Sequence, residues 1–495
     1  MIAKVASAVL SGVEAIPIEV QVQVAYGLPS FQIVGMPDTA VAESRERVRA
    51  AFKSTGLSIP AERVTVNLAP AHVRKVGSGL DLPIALGLMV AAGHLPQELL
   101  DPFLVVGELS LTGEIRQPIG SVSISLLADK LGLSMLTGVL GDISDIICVP
   151  VAEIFSLAQI LSLAKTELAA CQTKGFIGSF DGVSDYDFID VVNQDSAIRA
   201  LTIAVVGGHN VLMMGEPGTG KTMLAKRIPS IMNRLSPQEL LEVAQVYSVV
   251  DSEWRPSNEP PFRSPHHSAS SVGLIGGGSP IRPGEVTLAH NGALFLDEMP
   301  EFKPAALQML RQPLESGEVS IVRATEAVRM PARFQLIATA NPCPCGYFGS
   351  RDRECVCNAQ RIESYRNRLG GPLVDRIDMT ITVPRPSAEE LIKRKGAQTT
   401  KEIRERVEYA LAFRKNRIKN NVETAALCEY LVTNRFTQDA QRILRTAAES
   451  LVLSGRSLNK VSAIARTIAD LESEEVVGVE HVAESLNYRR MWTSS

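Results

Sequence analysis

The sequence lacks a long apolar run and an excess of basic residues. No hydrophobic stretch reaches the roughly 18 residues that a membrane-spanning helix needs, and the run at 201–206 has only the length of a strand. Lysine and arginine number 50 against 54 acidic residues, which gives a formal charge of −4. Because no basic field covers the whole chain, any contact with nucleic acid requires a local patch.

The cysteines do not form a paired set either. Seven are present, an odd number, and four of them lie within 343–357. This clustering is typical of a metal site in a reducing compartment rather than of a disulfide framework. Residues 1–10 lack the sustained apolar core of a signal peptide and run into an alternating strand. We therefore expect a soluble cytoplasmic protein with no membrane partner.

The length of 495 residues exceeds what one hydrophobic core usually supports, and we predict three domains and a linker. Residues 1–168 read as α/β, with an alternating strand at 18–25 and a hairpin at 103–116. Their charged run at 43–49 is predicted to form a solvated helix face. The predicted parts are an α/β domain at 1–168, a polar linker at 169–187, a parallel-sheet α/β core at 188–384 and a helical lid at 385–495.

The octapeptide at 215–222, GEPGTGKT, fits the G-x-x-x-x-G-K-[ST] phosphate loop. A predicted strand precedes it and a predicted helix follows it, as this loop requires. We expect Gly215, Gly218 and Gly220 to let the backbone turn its N–H groups toward phosphate oxygens at φ > 0. Lys221 would place its charge on the β- and γ-phosphates. The predicted nucleotide-binding residues of the loop are Gly215, Glu216, Pro217, Gly218, Thr219, Gly220, Lys221 and Thr222.

Polar residues follow two predicted buried strands, ALFL and FQLIAT. Asp297 would hold the Mg²⁺ that Thr222 also ligates, and Glu298 would orient or deprotonate the attacking water. Asn341 would hold that water or the γ-phosphate from the neighbouring strand. The carboxyl ends of parallel strands are where open α/β sheets build nucleotide sites. The pattern therefore predicts hydrolysis of ATP.

The segments GEPGTGKT, ALFLDE, ATANP and GPLVDRIDM together resemble AAA+ ATPases of the magnesium-chelatase-like group. MPDTAVAESRERVRAA, SPHHSAS and AHNGALFLDEMPEF are similar, within that group, to the ComM/YifB family of competence-associated proteins. The resemblance covers nearly the whole chain. It implies a homo-hexameric ring with ATP between subunits. It also implies a Mg²⁺-dependent ATPase and DNA helicase that promotes branch migration during natural transformation, on single-stranded and branched DNA of any sequence.

The same resemblance assigns two arginines to the nucleotide. Arg376 in LVDRIDM matches the arginine finger that reaches the γ-phosphate of a neighbouring subunit. A local ion pair with Asp375 or Asp378 is the alternative for this side chain. Arg456 in SGRSLNK matches the lid arginine that senses nucleotide, and Arg466 is the other candidate for that role.

Two further stretches, beginning at Gly273 and Gly317, resemble the pore hairpins of this group. Arg282 and Arg323 would lie near their tips and grip DNA phosphates without reading the sequence. The alternative is a pair of exposed arginines on ordinary surface hairpins.

The four clustered cysteines form two C-x-C pairs: Cys343, Cys345, Cys355 and Cys357. Four thiolates suit a tetrahedral Zn²⁺, although a one-residue gap is tighter than usual. Reduced thiols without a metal are the alternative. Because four thiolates leave no open position on zinc, the metal would brace the loop between Asn341 and Arg376 and would not catalyse.

The amino-terminal domain resembles the proteolytic domain of Lon, with GSGLDLPIA at 77–85 in place of the serine motif. Ile84 occupies the serine position, and the segment from Pro118 lacks the expected lysine. We therefore predict an inactive peptidase domain. A magnesium-chelatase motor subunit acting on a protein partner is the alternative for the whole chain, although such a subunit would not need this domain or the cysteines.

Overall fold

The computed structural model describes most of the chain. The described residues are 2–163, 186–251, 254–323, 327–350, 353–369, 371–387, 389, 398–419 and 435–489. Most of the predicted linker at 169–187 lies outside these residues, so this prediction is untested.

The amino-terminal unit begins with a four-stranded sheet in the order β1-β2-β4-β3, in which β3 and β4 are parallel and the other pairs antiparallel. Its strands are β1 Ile2–Ser11, β2 Glu14–Ala25, β3 Ser30–Val34 and β4 Arg63–Ala69. Val20 and Val22 are buried, whereas the alternating residues Gln21 and Gln23 are more exposed, as the sequence pattern predicts.

A second, parallel sheet completes this unit. It pairs β5 Phe103–Val105, β8 Ser134–Thr137 and β9 Val151–Glu153, while β6 Glu108–Leu109 and β7 Ile115–Arg116 form a separate hairpin. The hairpin predicted at 103–116 is therefore correct only in its second part. The helices of the unit are α1 Thr39–Ser54, α2 Asp81–Ala91, α3 Ser121–Leu131 and α4 Leu157–Leu163.

The charged run of α1 is not wholly solvated, and that prediction is wrong for Arg47. Its guanidinium donates from Nε and Nη2 to the two carboxylate oxygens of Asp81, at 2.6 and 2.9 Å. Asp81 is fully buried and also accepts from the Leu109 N–H. The hydrogen bond with Asp81 raises the pKa of Arg47. Burial of one partner makes this pair a fixed link between α1 and α2.

The second unit contains a five-stranded parallel sheet in the order β11-β14-β17-β10-β18. Its strands are β10 Val211–Met214, β11 Phe262–Arg263, β14 Gly292–Leu296, β17 Phe334–Ala340 and β18 Met379–Thr382. Alternate residues of the central strands enter two separate cores, one on each face. A parallel sheet covered on both faces is the predicted α/β core.

Helices and two hairpins surround this sheet. The hairpins are β12 Gly276–Gly277 with β13 Arg282–Pro283, and β15 Glu318–Val322 with β16 Ala327–Pro331. The apolar run at 201–206 lies in α5. The helices are α5 Asp195–Gly207, α6 Lys221–Ile231, α7 Pro237–Ser248, α8 Ser271–Ile275, α9 Glu285–Leu288, α10 Pro304–Met309, α11 Arg311–Ser316, α12 Ala359–Asn367 and α13 Gly371–Val374.

The carboxyl-terminal region is helical, as predicted. Its described helices are α14 Thr400–Lys419, α15 Gln438–Ser450, α16 Gly455–Leu471 and α17 Val479–Asn487. Arg199 of α5 ties this lid to the core through ion pairs with Glu472 at 2.6 Å and Glu484 at 2.9 Å. None of the helices described here combines the length and the apolar character that crossing a bilayer requires.

The amino-terminal unit packs on the core through α7 and the β15–β16 hairpin. The Gln245 side chain donates to the Val13 carbonyl at 3.1 Å, and the Gly120 N–H donates to Ser248 at 2.7 Å. A Cβ on Gly12 would lie 2.3 Å from Val328, so the turn after β1 needs glycine to approach the hairpin. These contacts fix the position of the amino-terminal sheet relative to α7 and the second hairpin.

Candidate nucleotide site

The phosphate loop follows β10 and leads directly into α6. Gly218 and Gly220 have φ of 79° and 92°, in the left-handed region that the sequence predicted for them. The predicted positive φ is wrong for Gly215, which needs glycine because a Cβ there would lie 2.5 Å from the Val383 carbonyl. Gly220 precedes the first residue of α6, so the free N–H groups of this helix face the loop.

Lys221 is almost buried inside the loop. Its ammonium donates to the carbonyls of Gly215 and Glu216 at 2.8 Å each, and to Asn341 Oδ1 at 3.1 Å. Loss of hydration lowers the pKa of Lys221, although Asp297 and Glu298 oppose the shift. A buried ammonium held mainly by neutral carbonyls has the character of a site for an anion.

Two hydroxyl groups hold the Asp297 carboxylate. Thr222 Oγ1 donates to one oxygen at 2.9 Å, and Thr339 Oγ1 donates to the other at 2.6 Å. Thr339 also accepts from the Glu298 N–H at 2.8 Å. The structure thus brings together Thr222 and Asp297, the predicted magnesium ligands. Thr339 is a contributor that the sequence reasoning missed, although it stands in the quoted segment ATANP.

Glu298 lies immediately after the strand and has an unusual backbone. Its φ is 50°, a left-handed conformation that costs a residue with a Cβ. Its side chain is exposed and makes no hydrogen bond or ion pair with another residue that the structure describes. Backbone strain in an exposed acid is typical of a functional site and points the carboxylate outward.

Arg376 and Arg456 meet at one carboxylate. Arg376 pairs with Glu315 at the end of α11, and Arg456 of the lid approaches the same oxygen at 3.0 Å. The hydrogen bond from Arg376 lowers the pKa of Glu315. The described ion pair of Arg376 therefore joins another helix. The two predicted nucleotide arginines occupy one location.

The loop that carries Arg376 is clamped from two sides. Asn210, just before β10, donates from its side chain to the Arg376 carbonyl at 3.1 Å and from its N–H to Asp378 at 2.8 Å. Lys460 of α16 pairs with Asp378 at 2.7 Å and donates to the Asp375 carbonyl. The sequence reasoning gave no role to Asn210 or Lys460, although Lys460 stands in the quoted segment SGRSLNK.

Arg466, the other candidate for the lid arginine, makes contacts within the lid. Its guanidinium donates to the backbone carbonyls of Glu474 and Glu475 and pairs with Asp470. Arg456, in contrast, is exposed. The geometry therefore favours Arg456 as the arginine available to a nucleotide.

The four clustered cysteines converge in the structure. All four Sγ atoms lie within 4.8 Å of one another. The Sγ atoms of Cys343, Cys345 and Cys355 lie 3.3, 3.5 and 3.7 Å from one another. A tetrahedral zinc with Zn–S bonds of about 2.3 Å places its sulfurs about 3.8 Å apart. A hydrogen bond from the Tyr347 N–H lowers the pKa of Cys345 to about 6. The donor set and its spacing thus fit zinc.

The cysteine loop also touches the phosphate loop. Gly346 lies between two of the cysteines and has φ of 88°, and a Cβ there would lie 2.6 Å from the Pro217 ring. Cys343 follows Asn341, the residue that contacts Lys221, by two positions. The loop is therefore placed to hold both sides of the nucleotide site.

The two hairpin arginines are exposed. Arg282 pairs through its backbone with Gly277, next to the turn at 278–281. Arg323 follows the last residue of β15 and begins the turn of the second hairpin. Both lie at or beside the tips, where the resemblance placed them.

The Lon-like segment does not assemble a peptidase dyad in the described residues. Ile84 is fully buried within α2. Ser78 donates to Glu108 at 2.6 Å, while the buried Lys75 ammonium donates to the Pro70 carbonyl. The nearby serine and lysine thus have separate partners.

Family models match three parts of the chain. "Magnesium chelatase, subunit ChlI" matches residues 187–391, "Subunit ChlI of Mg-chelatase" matches 20–137, and "Magnesium chelatase, subunit ChlI C-terminal" matches 397–489. Together they include the nucleotide site, the lid and much of the amino-terminal unit. A Lon protease 2 from Bacillus subtilis is 29% identical over 27% of this chain and 26% of its own length. This partial likeness agrees with the predicted Lon-like domain.

Several relatives match over almost their whole length. The competence protein ComM of Haemophilus influenzae is 38% identical over 97% of this chain and 96% of its own. The uncharacterized protein YifB of Escherichia coli is 38% identical over 97% of this chain and 95% of its own. The chain therefore belongs to the ComM/YifB family of magnesium-chelatase-like AAA+ proteins.

Proposed function

We propose that this protein is a Mg²⁺-dependent ATPase that assembles as a homo-hexamer and moves DNA strands, promoting branch migration during natural transformation. The observation that carries the ATPase assignment is the joined set of Lys221, Thr222, Asp297 and Asn341 around one phosphate loop. Membership of a family that includes a named competence protein supports DNA as the substrate.

The residues of the site divide the work of hydrolysis. Lys221 would neutralise the β- and γ-phosphates, and Asn341 would orient the γ-phosphate or the attacking water. The hydroxyl of Thr222 and the carboxylate of Asp297 are oxygen donors that suit Mg²⁺, which would neutralise charge on the phosphates when bound. Glu298, which is exposed and has no ion-pair partner among the described residues, would accept the proton of the water.

Arg376 would complete the site from a neighbouring subunit. Its position beside Arg456, on a shared carboxylate, supports a common nucleotide for both arginines. The bound γ-phosphate would replace Glu315 as the partner of Arg376. Asn210 links the start of β10 to the loop carrying Arg376, so the strand before the phosphate loop and the finger would move together.

A structural zinc is proposed for the four cysteines, because their spacing fits a tetrahedral site. Zinc would fix the loop that lies against Pro217. Its role would be to hold the phosphate loop and Asn341 in a fixed position relative to each other.

A magnesium-chelatase-type motor acting on a protein partner is the second candidate. The names of the three matching family models favour it. DNA-stimulated ATP hydrolysis with forked or four-way substrates separates the two, since a motor that acts only on a protein partner would show no stimulation.

Lys221→Ala is expected to abolish tight ATP binding, whereas Glu298→Gln is expected to retain binding and block hydrolysis. The first change removes charge from the phosphates, and the second removes only the base. Binding of a fluorescent ATP analogue and phosphate release measure the two effects. Glu301→Gln, one turn further along, is the control. Wild-type hydrolysis by Glu298→Gln would contradict the assignment.

Arg376→Ala is expected to assemble and bind ATP, yet lose about 10³- to 10⁵-fold in turnover because the transition state loses its trans cation. Mixing Arg376→Ala subunits with Lys221→Ala subunits should restore part of the activity, at interfaces that combine an intact loop with an intact finger. Failure to recover activity at any mixing ratio would argue against action in trans. Arg368→Ala, exposed nearby, serves as the control.

Elemental analysis is expected to find about one zinc per subunit, and Cys355→Ser should lower zinc content, melting temperature and ATP affinity together. The ATP effect is expected because the cysteine loop contacts Pro217. Cys148→Ser, outside the cluster, should change none of the three. An active preparation free of metal would refute the zinc proposal.

Replacing Arg282 and Arg323 together by Ala is expected to weaken binding to DNA of any sequence and to abolish branch migration. The dependence of affinity on salt should flatten by up to about two phosphate contacts per participating subunit. Fluorescence anisotropy with forked DNA at several salt concentrations measures this. Arg329→Ala, exposed within the same hairpin strand, is the matched control. An unchanged salt slope with unchanged unwinding would contradict the hairpin assignment.

A further inference from the structure

A cleft of about 850 Å³ separates the amino-terminal unit from the two hairpins. One wall comes from the turn after β1, the start of α1 and the loop after β4. The other wall comes from the turn of the first hairpin at 278–281 together with Arg323 and Ala327 of the second. The proposed nucleotide site does not include this space.

The cleft has more positive than negative charge. Arg74 and Arg323 both line it and are exposed, and neither makes an ion pair or a side-chain hydrogen bond with another described residue. Asp38 is the acidic side chain in the lining, and its oxygens accept from the N–H groups of Val41 and Gly77. Since Asp38 is engaged in capping α1, the two guanidinium groups remain available to an external anion.

The loop that carries Arg74 is firmly held. Lys75 exchanges backbone hydrogen bonds with the segment before α1, donating to the Met36 carbonyl at 3.2 Å and accepting from the Asp38 N–H at 2.9 Å. Its side chain is fully buried and donates to the Pro70 carbonyl. A fixed backbone lets Arg74 point into the cleft at a small entropic cost.

The remaining lining favours a phosphate backbone over bases. The described lining residues include no Phe, Tyr or Trp, so the stacking surface of typical single-strand binding proteins is absent from this part of the structure. Glycine, serine, proline and aliphatic side chains, together with Met36 and His72, form the walls instead. An elongated polyanion held by arginines and backbone groups would be recognised without regard to sequence.

We propose that this cleft holds the phosphate backbone of one DNA strand, with Arg74 of the amino-terminal unit and Arg323 of the second hairpin acting on the same strand. The inference rests on the proposed function of the chain as a DNA motor. It gives the Lon-like unit a direct role in substrate binding.

The test uses the full-length protein and a fluorescein-labelled oligodeoxythymidylate. Arg74→Ala is expected to lower affinity and to reduce the slope of log affinity against log salt by about 0.7 for each participating subunit. The double variant Arg74→Ala/Arg323→Ala should lose more than either single variant. Arg63→Ala, an exposed arginine of the same unit that lies outside the cleft, should bind DNA like the parent protein.

Cross-linking provides a measurement independent of affinity. DNA containing 4-thiothymidine is expected to attach, under ultraviolet light, to peptides covering 70–77 and 276–283.

If Arg74→Ala binds like the parent protein while Arg323→Ala binds weakly, the cleft proposal fails and the DNA motor stands. If the parent protein binds no DNA at all, the proposed function itself fails. If polyglutamate binding falls with Arg74→Ala while DNA binding does not, the occupant is an acidic protein segment and the proposal is overturned.

Discussion

The Asp297 carboxylate is the constraint on which the site depends. It accepts one hydroxyl hydrogen bond from Thr222, at the start of α6, and another from Thr339, on the neighbouring strand. These two bonds connect the helix that follows the phosphate loop with two parallel strands. The same Thr339 oxygen accepts from the Glu298 backbone, which keeps Glu298 in its left-handed conformation and its carboxylate exposed. The same small set of hydrogen bonds thus positions both the proposed metal ligands and the proposed base.

Short polar links connect the nucleotide site with the lid and with α11. Asn210 and Lys460 hold the loop of Arg376 between the sheet and the lid. Glu315 pairs with Arg376 of the core and with Arg456 of the lid. It lies in the last turn of α11, the helix that precedes the second hairpin. A change in the partner of Arg376 would therefore alter contacts of the lid and of the helix before the hairpin that is proposed to hold DNA. This arrangement offers a physical route from phosphate charge to strand movement.

The amino-terminal unit combines a hydrolase-like fold with an altered interior. Ile84 is enclosed in a helix whose residues are all buried, and Lys75 serves the loop structure and not a serine. The loop that Lys75 stabilises presents Arg74 to the cleft that faces the hairpins. The held loop therefore suits the proposed contact of Arg74 with DNA, because contacts with α7 and β16 hold the amino-terminal unit against the core.

The sequence by itself determined the features that depend on local geometry: the phosphate loop with its left-handed glycines, the strands that end at Asp297 and Asn341, and the helical lid. Each of these follows from residue type and spacing within a few positions. The tertiary structure alone decided what joins distant segments. The sequence predicts a solvated charged run in α1, but the fold places the buried Asp81 beside Arg47. Nothing in the sequence pattern singles out Glu315, which pairs with two arginines in the structure. Such pairings depend on how elements pack, and no short pattern in the chain encodes them.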